Sequence, residues 1–310
     1  MRSAVAPRTP SRPSTEVAAR VVATPVLEWA SAAERTGSVL TISRAVTYLT
    51  FSGAVVALGF SDAPSMPNEV SLGVDLGRRL GGFGWLVRPG DRARLHRHGV
   101  DVGVLQVRWR GPTARWEPRV SAGAWSRERV RARGEAILRH VGIDATASPT
   151  EIIDAMAHEG ITLARDERGR SALEALVRSI RRREPEEAGR AADGMLGLGS
   201  GLTPEGDDVL AAAAATIVAF GPSVGLEGRR LRRLVEALTP DPGGRTTELS
   251  ATLLSLAVAG RPLEPAGRLL HLDNDRGIAT AIHQLSNVGH TTGRMYLTGI
   301  GVTAVALAAR

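Results

Sequence analysis

Short apolar runs separated by turn-forming residues occupy the chain from residue 38 to residue 120. The runs are rich in β-branched and aromatic residues, and Gly, Pro, Asp and Asn interrupt them. They cover residues 39–42, 46–51, 54–58, 70–74, 84–87 and 102–109. This pattern is typical of strands and predicts an antiparallel sheet or a small barrel. We expect the tryptophans in this region or just beyond it, Trp85, Trp109, Trp116 and Trp125, to pack in its core.

From about residue 121 the apolar positions adopt helical spacing. Leu173, Leu176, Val177 and Ile180 fall at i, i+3, i+4 and i+7, which places one apolar stripe on a helix. Comparable stripes recur over residues 231–238, 249–256 and 278–285. The second half of the chain is therefore predicted to be mostly helical.

Strands followed by helices along one chain predict an α+β fold. We divide the chain into a disordered or loosely ordered lead-in over 1–35, a β-rich domain over 36–120 and a helical domain over 121–310. The lead-in has arginines among Ser, Thr and Pro, and no apolar segment of a secretory signal follows it.

The composition excludes several kinds of chemistry. All 39 basic residues are arginine, and the chain has no cysteine. Schiff-base lysines, the Walker lysine, thiolate nucleophiles and cysteine-ligated metals are therefore absent. Any catalysis must use Asp, Glu, His, Arg, Ser, Thr or backbone amides.

The net charge of +7 indicates solvated surface rather than a nucleic-acid partner. Acidic residues are interleaved with the arginines almost throughout, and aromatic residues make up only 4% of the chain, which leaves few platforms for base stacking. The most apolar stretches, 209–220 and 295–309, are shorter than the roughly 20 residues that a membrane-spanning helix needs. We therefore expect a cytoplasmic protein without a membrane or nucleic-acid partner.

A glycine-rich loop before an apolar run is the sharpest local signal. Gly199 and Gly201 allow positive φ or close backbone approach, and Thr203 and Pro204 suit the N-cap and the first position of a helix. Such a loop presents unpaired N–H groups to an anion. The pattern matches neither the Walker spacing nor a dinucleotide fingerprint, so the sequence predicts an anion site of a less common kind.

Two adjacent acids follow this loop, and they allow two interpretations. Asp207 and Asp208 can cap the helix and hold the loop through backbone N–H groups. Alternatively, they can bind Mg²⁺, accept a proton or contact the substrate, because paired carboxylates ahead of a buried helix are costly unless used.

Two further glycine turns lead into helices. One contains His290 and Thr292, which suit acid–base work and a hydroxyl contact, although a lone histidine is more often a structural hydrogen-bonding residue. The other contains Arg245, which can bind a carboxylate or phosphate, and Thr246, which also suits an N-cap. We expect the helix N-termini to converge on one pocket.

These motifs resemble those of a known family. Residues 197–210, GLGSGLTPEGDDVL, resemble the Gly-Leu-Thr-Pro-x-Gly-Asp-Asp signature of the AllH-like family. Residues 246–250 and 289–299, the latter GHTTGRMYLTG, are similar to its next two blocks in the same order. Residues 42–72 are loosely similar to its N-terminal part.

The resemblance implies a role in carbamoyl transfer. The family includes a subunit associated with oxamate carbamoyltransferase in anaerobic allantoin breakdown, which acts with the FdrA and AllG proteins. That reaction exchanges a carbamoyl group between oxamate and phosphate, interconverting oxalurate and carbamoyl phosphate. If the chain is an enzyme, the resemblance implies a transferase that works within a multi-subunit assembly.

Two hypotheses follow. In the first, the chain binds an anionic carbamoyl- or phosphate-bearing molecule. Its site residues are then Gly199, Gly201 and Thr203 for the anion, Asp207 and Asp208 for a proton or possible Mg²⁺, Arg245 and Thr246 for substrate binding, and His290 and Thr292 for positioning the reacting group. In the second, the chain is a non-catalytic partner whose Gly/Thr turns serve helix packing.

Overall fold

The computed structural model describes residues 14–111, 113–144, 149–158, 160–241 and 244–309. Ten strands in the first part of the chain form one sheet, and the rest is mostly helical, so the predicted α+β fold is confirmed. The strands are β1 (Thr15–Ala18), β2 (Val21–Ala23), β3 (Arg35–Ile42), β4 (Val46–Phe51), β5 (Ala54–Gly59), β6 (Glu69–Ser71), β7 (Arg92–His96), β8 (Gly99–Val102), β9 (Leu105–Arg108) and β10 (Ala114–Trp116).

The sheet is mixed rather than wholly antiparallel. Its strand order is β1-β9-β8-β7-β3-β4-β5-β6-β2-β10. The inner ladders β3–β4, β7–β8 and β8–β9 are antiparallel, as expected from short connections, and the ladder β3–β7, whose strands are distant in sequence, is antiparallel too. The parallel ladders are β1–β9, β5–β6 and β2–β10, and two of these involve the N-terminal strands.

The structure orders part of the segment that we predicted as a loose lead-in over 1–35. Strands β1 and β2 pair with distant strands, and the helix α1 (Thr24–Ala32) follows them. Val22 and Val26 are fully buried in the core. Strands of four and three residues are too short to show a period, and their partners are distant in sequence, so the pattern does not reveal them. Residues 1–13 of the predicted lead-in lie outside the described residues.

Residues 84–87, predicted as a strand, instead belong to a turn. The helix α2 (Val74–Leu80) ends at Gly81, and a short 3₁₀-helix covers Phe83–Trp85. Gly81 and Gly82 have φ of 75° and 106°, a left-handed region that interrupts an extended backbone. The core prediction is wrong for Trp85, which is 75% exposed.

Helices form the rest of the described chain. They are α3 (Arg127–His140), α4 (Pro149–His158), α5 (Thr162–Arg165), α6 (Glu167–Arg182), α7 (Pro185–Met195), α8 (Glu205–Phe220), α9 (Gly228–Ala237), α10 (Glu248–Val258), α11 (Glu264–His271), α12 (Asp275–Ser286) and α13 (Thr292–Ala308). Across the described residues, no helix combines the length and the apolarity that a membrane crossing requires.

Helices α8 and α13 pack closely along their buried lengths. A Cβ atom on Gly299 would lie 2.7 Å from the Cβ of Ala212 and 2.9 Å from the carbonyl oxygen of Val209. Only glycine permits this separation, because real Cβ atoms do not approach other atoms so closely. The close packing fixes the two helix N-termini relative to each other.

The chain contains two compact units. One comprises Met1–Ser52, Val56–Pro64 and Glu69–Trp116, and holds most of the sheet. The other comprises Gly53–Val55, Ser65–Asn68 and Glu117–Arg310, and holds the helices from α3 onward.

Candidate functional site

Three chain segments of the helical unit meet at the N-terminus of α8. They are the glycine loop (residues 197–203), the turn that precedes α10 and the start of α13. Their meeting point contains the predicted site residues Thr203, Asp207, Asp208, Thr246 and Thr292. The structure thus brings these five of the predicted site residues together, and we call them the α8 cluster.

Asp207 fastens the three segments together. Its Oδ1 accepts the backbone N–H of Gly197 at 2.8 Å, and its Oδ2 accepts the hydroxyl groups of Ser250, at 2.7 Å, and Thr246. Both carboxylate oxygens are therefore engaged inside the protein. This geometry favours, for Asp207, the interpretation in which the acid holds the loop.

The glycine loop passes tightly against the turn before α10. Gly197 has a φ of 73°, and a Cβ atom there would lie 2.0 Å from the carbonyl oxygen of Arg245. A side chain at this position would displace the loop or the turn. The glycine is therefore required by both backbone conformation and space.

Asp208, the next residue, has a different environment. The residue is 3% exposed, and its Oδ2 has no hydrogen-bond partner among the described residues. Burial raises the pKa of its carboxyl group well above the usual value, and the neighbouring charges of Asp207 and Glu205 act in the same direction. Hydrogen bonds from Thr292 and Thr203 oppose this rise only in part. Asp208 is therefore a buried acid with one unused oxygen.

Two threonines link the loop to α13 beside this acid. The Oγ1 atoms of Thr203 and Thr292 lie 2.7 Å apart. Thr203 consequently does not act as the expected N-cap of α8; Pro204 holds that position, and no side chain caps it in the described structure. For α10, the cap is Thr247, whose Oγ1 accepts the N–H of Ser250, rather than the predicted Thr246.

The glycine loop presents unpaired backbone donors. The N–H groups of residues 199–203 and of Glu205 make no hydrogen bond to any described residue. A Cβ atom on Gly199 would lie 2.5 Å from the nitrogen of Glu205, whereas one on Gly201 would meet nothing within 4 Å. Glycine at position 199 therefore leaves the nitrogen of Glu205 uncovered, as a helix N-terminus that receives an anion requires.

Arg245 and His290 lie outside the α8 cluster. The guanidinium of Arg245 is exposed, contacts the carboxylate of Asp193 at 2.8 Å and donates to the carbonyl oxygen of Asp241 at 3.1 Å. His290 is exposed, and its side chain makes no hydrogen bond within the described ranges. The roles expected for these two residues stay predictions.

Magnesium at the acid pair also stays a prediction. Asp207 has no unused oxygen, so Asp208 is the one member of the pair with a carboxylate oxygen to offer a cation. The described residues contain no group of three His, Asp or Glu side chains suited to a metal. Mg²⁺ usually completes its coordination shell with waters and substrate oxygens.

Sequence analysis missed three residues around the site. Ser250 binds Asp207, and Glu205, itself buried, accepts the N–H of Leu163 at 2.7 Å and so fixes the start of α8. Tyr296 is fully buried, and burial together with the charge of Asp208 raises the pKa of its hydroxyl. The spacing Thr247-x-x-Ser250 could have indicated Ser250, since a capping residue and its N3 partner lie three positions apart.

Comparison with known protein families gives a match over the part of the chain that contains this site. Residues 195–304 match the model of the family described as oxamate carbamoyltransferase subunit AllH, as the resemblance implies. No curated protein and no solved structure matches the chain significantly. The matched segment contains the whole α8 cluster together with α10 and α12. Over residues 195–304, about a third of the chain, the sequence is therefore similar to the AllH family.

Proposed function

We propose that the chain is a subunit of a carbamoyltransferase-type system and that it binds a small anionic molecule at the glycine loop. The main observation behind this proposal is that the Oδ2 atom of Asp208 is buried without a hydrogen-bond partner among the described residues. The loop of unpaired N–H groups lies next to it in the chain. An unsatisfied buried polar atom costs about 1–3 kcal/mol, so such an atom persists where a ligand uses it. The family match to a carbamoyltransferase subunit supports the same conclusion.

The donors and the acceptor of the site suit a carbamoyl or phosphate group. The N–H groups around Gly199 and Gly201 donate to a carbonyl or phosphate oxygen, and the hydroxyl of Thr203 joins them when it exchanges its contact with Thr292 for the ligand. Asp208 accepts from a carbamoyl N–H when it is ionised and donates to a phosphate oxygen when it is protonated. Either ligand thus satisfies both the loop and the acid.

The remaining residues have supporting roles in this proposal. Asp207, with Thr246, is a positioning residue, since its oxygens hold the loop and α10. Thr292 orients Asp208 and the ligand. Arg245 can exchange Asp193 for a ligand carboxylate because an exposed ion pair contributes only about 0–1 kcal/mol. His290 contributes a proton donor or acceptor at the start of α13.

The corresponding reaction is carbamoyl exchange between oxamate and phosphate. A phosphate oxygen bonds to the carbamoyl carbon of oxalurate, the carbon–nitrogen bond breaks, and the departing nitrogen takes a proton, which leaves carbamoyl phosphate and oxamate. We propose that FdrA-like and AllG-like proteins complete the assembly, that it serves purine (allantoin) catabolism, and that it is cytoplasmic.

A non-catalytic packing role is the second candidate. Gly197 and Gly299 allow backbone approaches that a side chain would prevent, so the glycines have a structural use without any ligand. This role explains neither the unpaired N–H groups of the loop nor the unused oxygen of Asp208. It predicts that small anions leave the stability of the chain unchanged.

Thermal unfolding of the purified chain separates the two candidates. Carbamoyl phosphate at about 100 times its Kd should raise the free energy of unfolding by about 2.7 kcal/mol and the Tm by roughly 5 °C. Asp208→Asn should abolish this increase, whereas Asp154→Asn, which alters an exposed acid on α4, should retain it. If carbamoyl phosphate, phosphate and Mg²⁺ all leave the Tm of the unmodified chain unchanged, the binding proposal fails and the packing role is favoured.

A further inference from the structure

We propose that Trp85 and three exposed arginines near it in the fold or in the chain form a docking surface for a partner protein that presents acidic side chains around an apolar pocket. The arginines are Arg44, Arg79 and Arg88, and we call the four residues the Trp85 patch. The patch lies entirely within the sheet-containing unit. The proposal rests on the proposed function only in expecting a protein partner, and it concerns a surface that the α8 cluster does not use.

The exposure of Trp85 is unusual. Its exposed fraction is 75%, and the only other large hydrophobic side chain exposed in the described part of the chain is Leu202, at 40%. Tryptophan is normally well buried, because its indole has a large apolar surface. At protein interfaces, tryptophan and arginine are the residues most enriched among those that dominate the binding energy.

The fold holds Trp85 in a defined position. Phe83, two residues earlier, is fully buried and stacks on Phe60 with ring centroids 4.1 Å apart. The N–H of Phe83 donates to the carbonyl oxygen of Arg44 at 3.3 Å, and a Cβ atom on Gly82 would lie 2.9 Å from that oxygen. A side chain presented from such a fixed turn loses little conformational entropy on binding.

One side of the indole lies along Gly81. A Cβ atom on this glycine would lie 3.3 Å from Cδ1 and 3.4 Å from Nε1 of Trp85. Backbone without a side chain therefore supports the ring, and most of its surface remains available to a partner. A partner pocket that buries the ring therefore gains the free energy of removing a large apolar side chain from water.

The charges around the indole indicate an acidic partner. Arg44, Arg79 and Arg88 are exposed, and their guanidinium groups form no ion pair with the residues that the structure describes. Arg44 contacts the turn that carries Trp85, and Arg79 and Arg88 lie within six positions of Trp85 in the chain. Carboxylates of a partner could therefore form ion pairs with these three guanidinium groups.

Other occupants fit the Trp85 patch less well. In a two-fold dimer through this surface, the same three arginines of each copy would face one another and repel. A lipid surface would receive one apolar side chain, too little for stable interfacial binding. A nucleic acid would find a single stacking platform. A protein with an apolar pocket and an acidic rim would bury the indole and pair with the three arginines.

The test measures binding of the full chain to purified FdrA-like and AllG-like proteins from the same source, separately and together. Trp85→Ala should weaken binding about 30-fold, which corresponds to a hot spot of roughly 2 kcal/mol. Reversal of the three arginines (R44E/R79E/R88E) should weaken it at least as much and reverse the sign of its salt dependence, because attraction to an acidic partner becomes a repulsion that salt screens. The matched control is R229E/R230E/R232E on α9, which makes the same charge change on exposed arginines and should bind normally. Circular dichroism and Tm establish that the variants fold.

The outcomes distinguish this proposal from the proposed function. If Trp85→Ala binds the partner within threefold of the unmodified chain, the Trp85 patch is overturned and the proposed function stands. If neither protein binds the unmodified chain, the proposed partners and the patch fail together, although anion binding at the glycine loop can still be observed. A free chain that changes from dimer to monomer on Trp85→Ala, or phosphatidylserine vesicle binding that this variant abolishes, would also overturn the proposal.

Discussion

The hydroxyl oxygens of Thr203 and Thr292 lie 2.7 Å apart, although 89 positions separate the two residues in the chain. Thr203 ends the glycine loop and Thr292 begins α13. Both hydroxyls also lower the pKa of the buried carboxyl group of Asp208. The position of the loop is therefore coupled to the environment of the acid, and a ligand that binds one must affect the other.

A double-mutant cycle should detect this contact. We expect Thr203→Val and Thr292→Val to show a coupling free energy of about 0.5–1.5 kcal/mol, because each variant removes one partner of the same hydrogen bond. Urea denaturation of both single variants and the double variant measures the coupling. Thr280→Val, on the exposed face of α12, should combine additively with Thr203→Val. Additivity within about 0.3 kcal/mol for the Thr203/Thr292 pair would contradict the contact.

Asp207 should contribute more to stability than an exposed acid does. Asp207→Asn replaces one of two accepting oxygens with an NH₂ group that faces donors, so we expect the free energy of unfolding to fall by about 2–4 kcal/mol. Asp154→Asn, which removes an exposed ion pair with Arg170, should cost less than about 1 kcal/mol. Urea denaturation compares the variants. Equal losses would show that the bonds of Asp207 do not fasten the loop.

The helical half of the chain and its glycine loop were predictable from local pattern. The stripe of Leu173, Leu176 and Ile180 appears as the buried face of α6, because a helix that packs on a core needs that spacing. The loop was predictable because glycines followed by Thr-Pro and an apolar run indicate a helix N-terminus.

Other features depend on contacts that are distant in sequence. Strand β1 is four residues long and exists because it pairs with β9. The different roles of Asp207 and Asp208 arise because adjacent residues on an α-helix point about 100° apart. One acid therefore faces the turn before α10, and the other faces α13. No sequence pattern indicates which neighbours each of two consecutive acids will meet.

Two glycines of the loop should respond differently to alanine. Gly197→Ala should destabilise the chain by more than about 2 kcal/mol, because both its φ of 73° and its contact with the carbonyl of Arg245 exclude a Cβ atom. Gly201→Ala, with a φ of 89° and open space around it, should cost only the backbone penalty of about 1 kcal/mol. Thermal and urea unfolding test this difference. A larger loss at Gly201 than at Gly197 would contradict the contact with the turn before α10.

The stability effect of Asp208→Asn should depend on pH. The fold raises the pKa of this carboxyl group above its usual value near 3.8, and the carboxyl groups of Asp207 and Glu205, the hydroxyl of Tyr296 and the two threonine hydroxyls surround it. Between the unfolded and folded pKa values the folded chain binds more protons than the unfolded chain, so the contribution of Asp208 to stability falls as the pH rises through this range. Asparagine does not titrate, so the stability of the Asp208→Asn variant does not decrease with pH for this reason.

Relative to the unmodified chain, Asp208→Asn should therefore gain stability as the pH rises above the usual carboxyl value near 3.8, which measurements from pH 4 to pH 8 test. Urea denaturation at intervals of one pH unit measures the difference, with Asp154→Asn as the control that should show no such trend. A difference that is constant over this range would show that the pKa of Asp208 is not raised. Together with loss of the response to carbamoyl phosphate, a gain in stability would identify Asp208 as a residue kept for binding at the expense of the fold, because burial of an unsatisfied acid has no structural benefit.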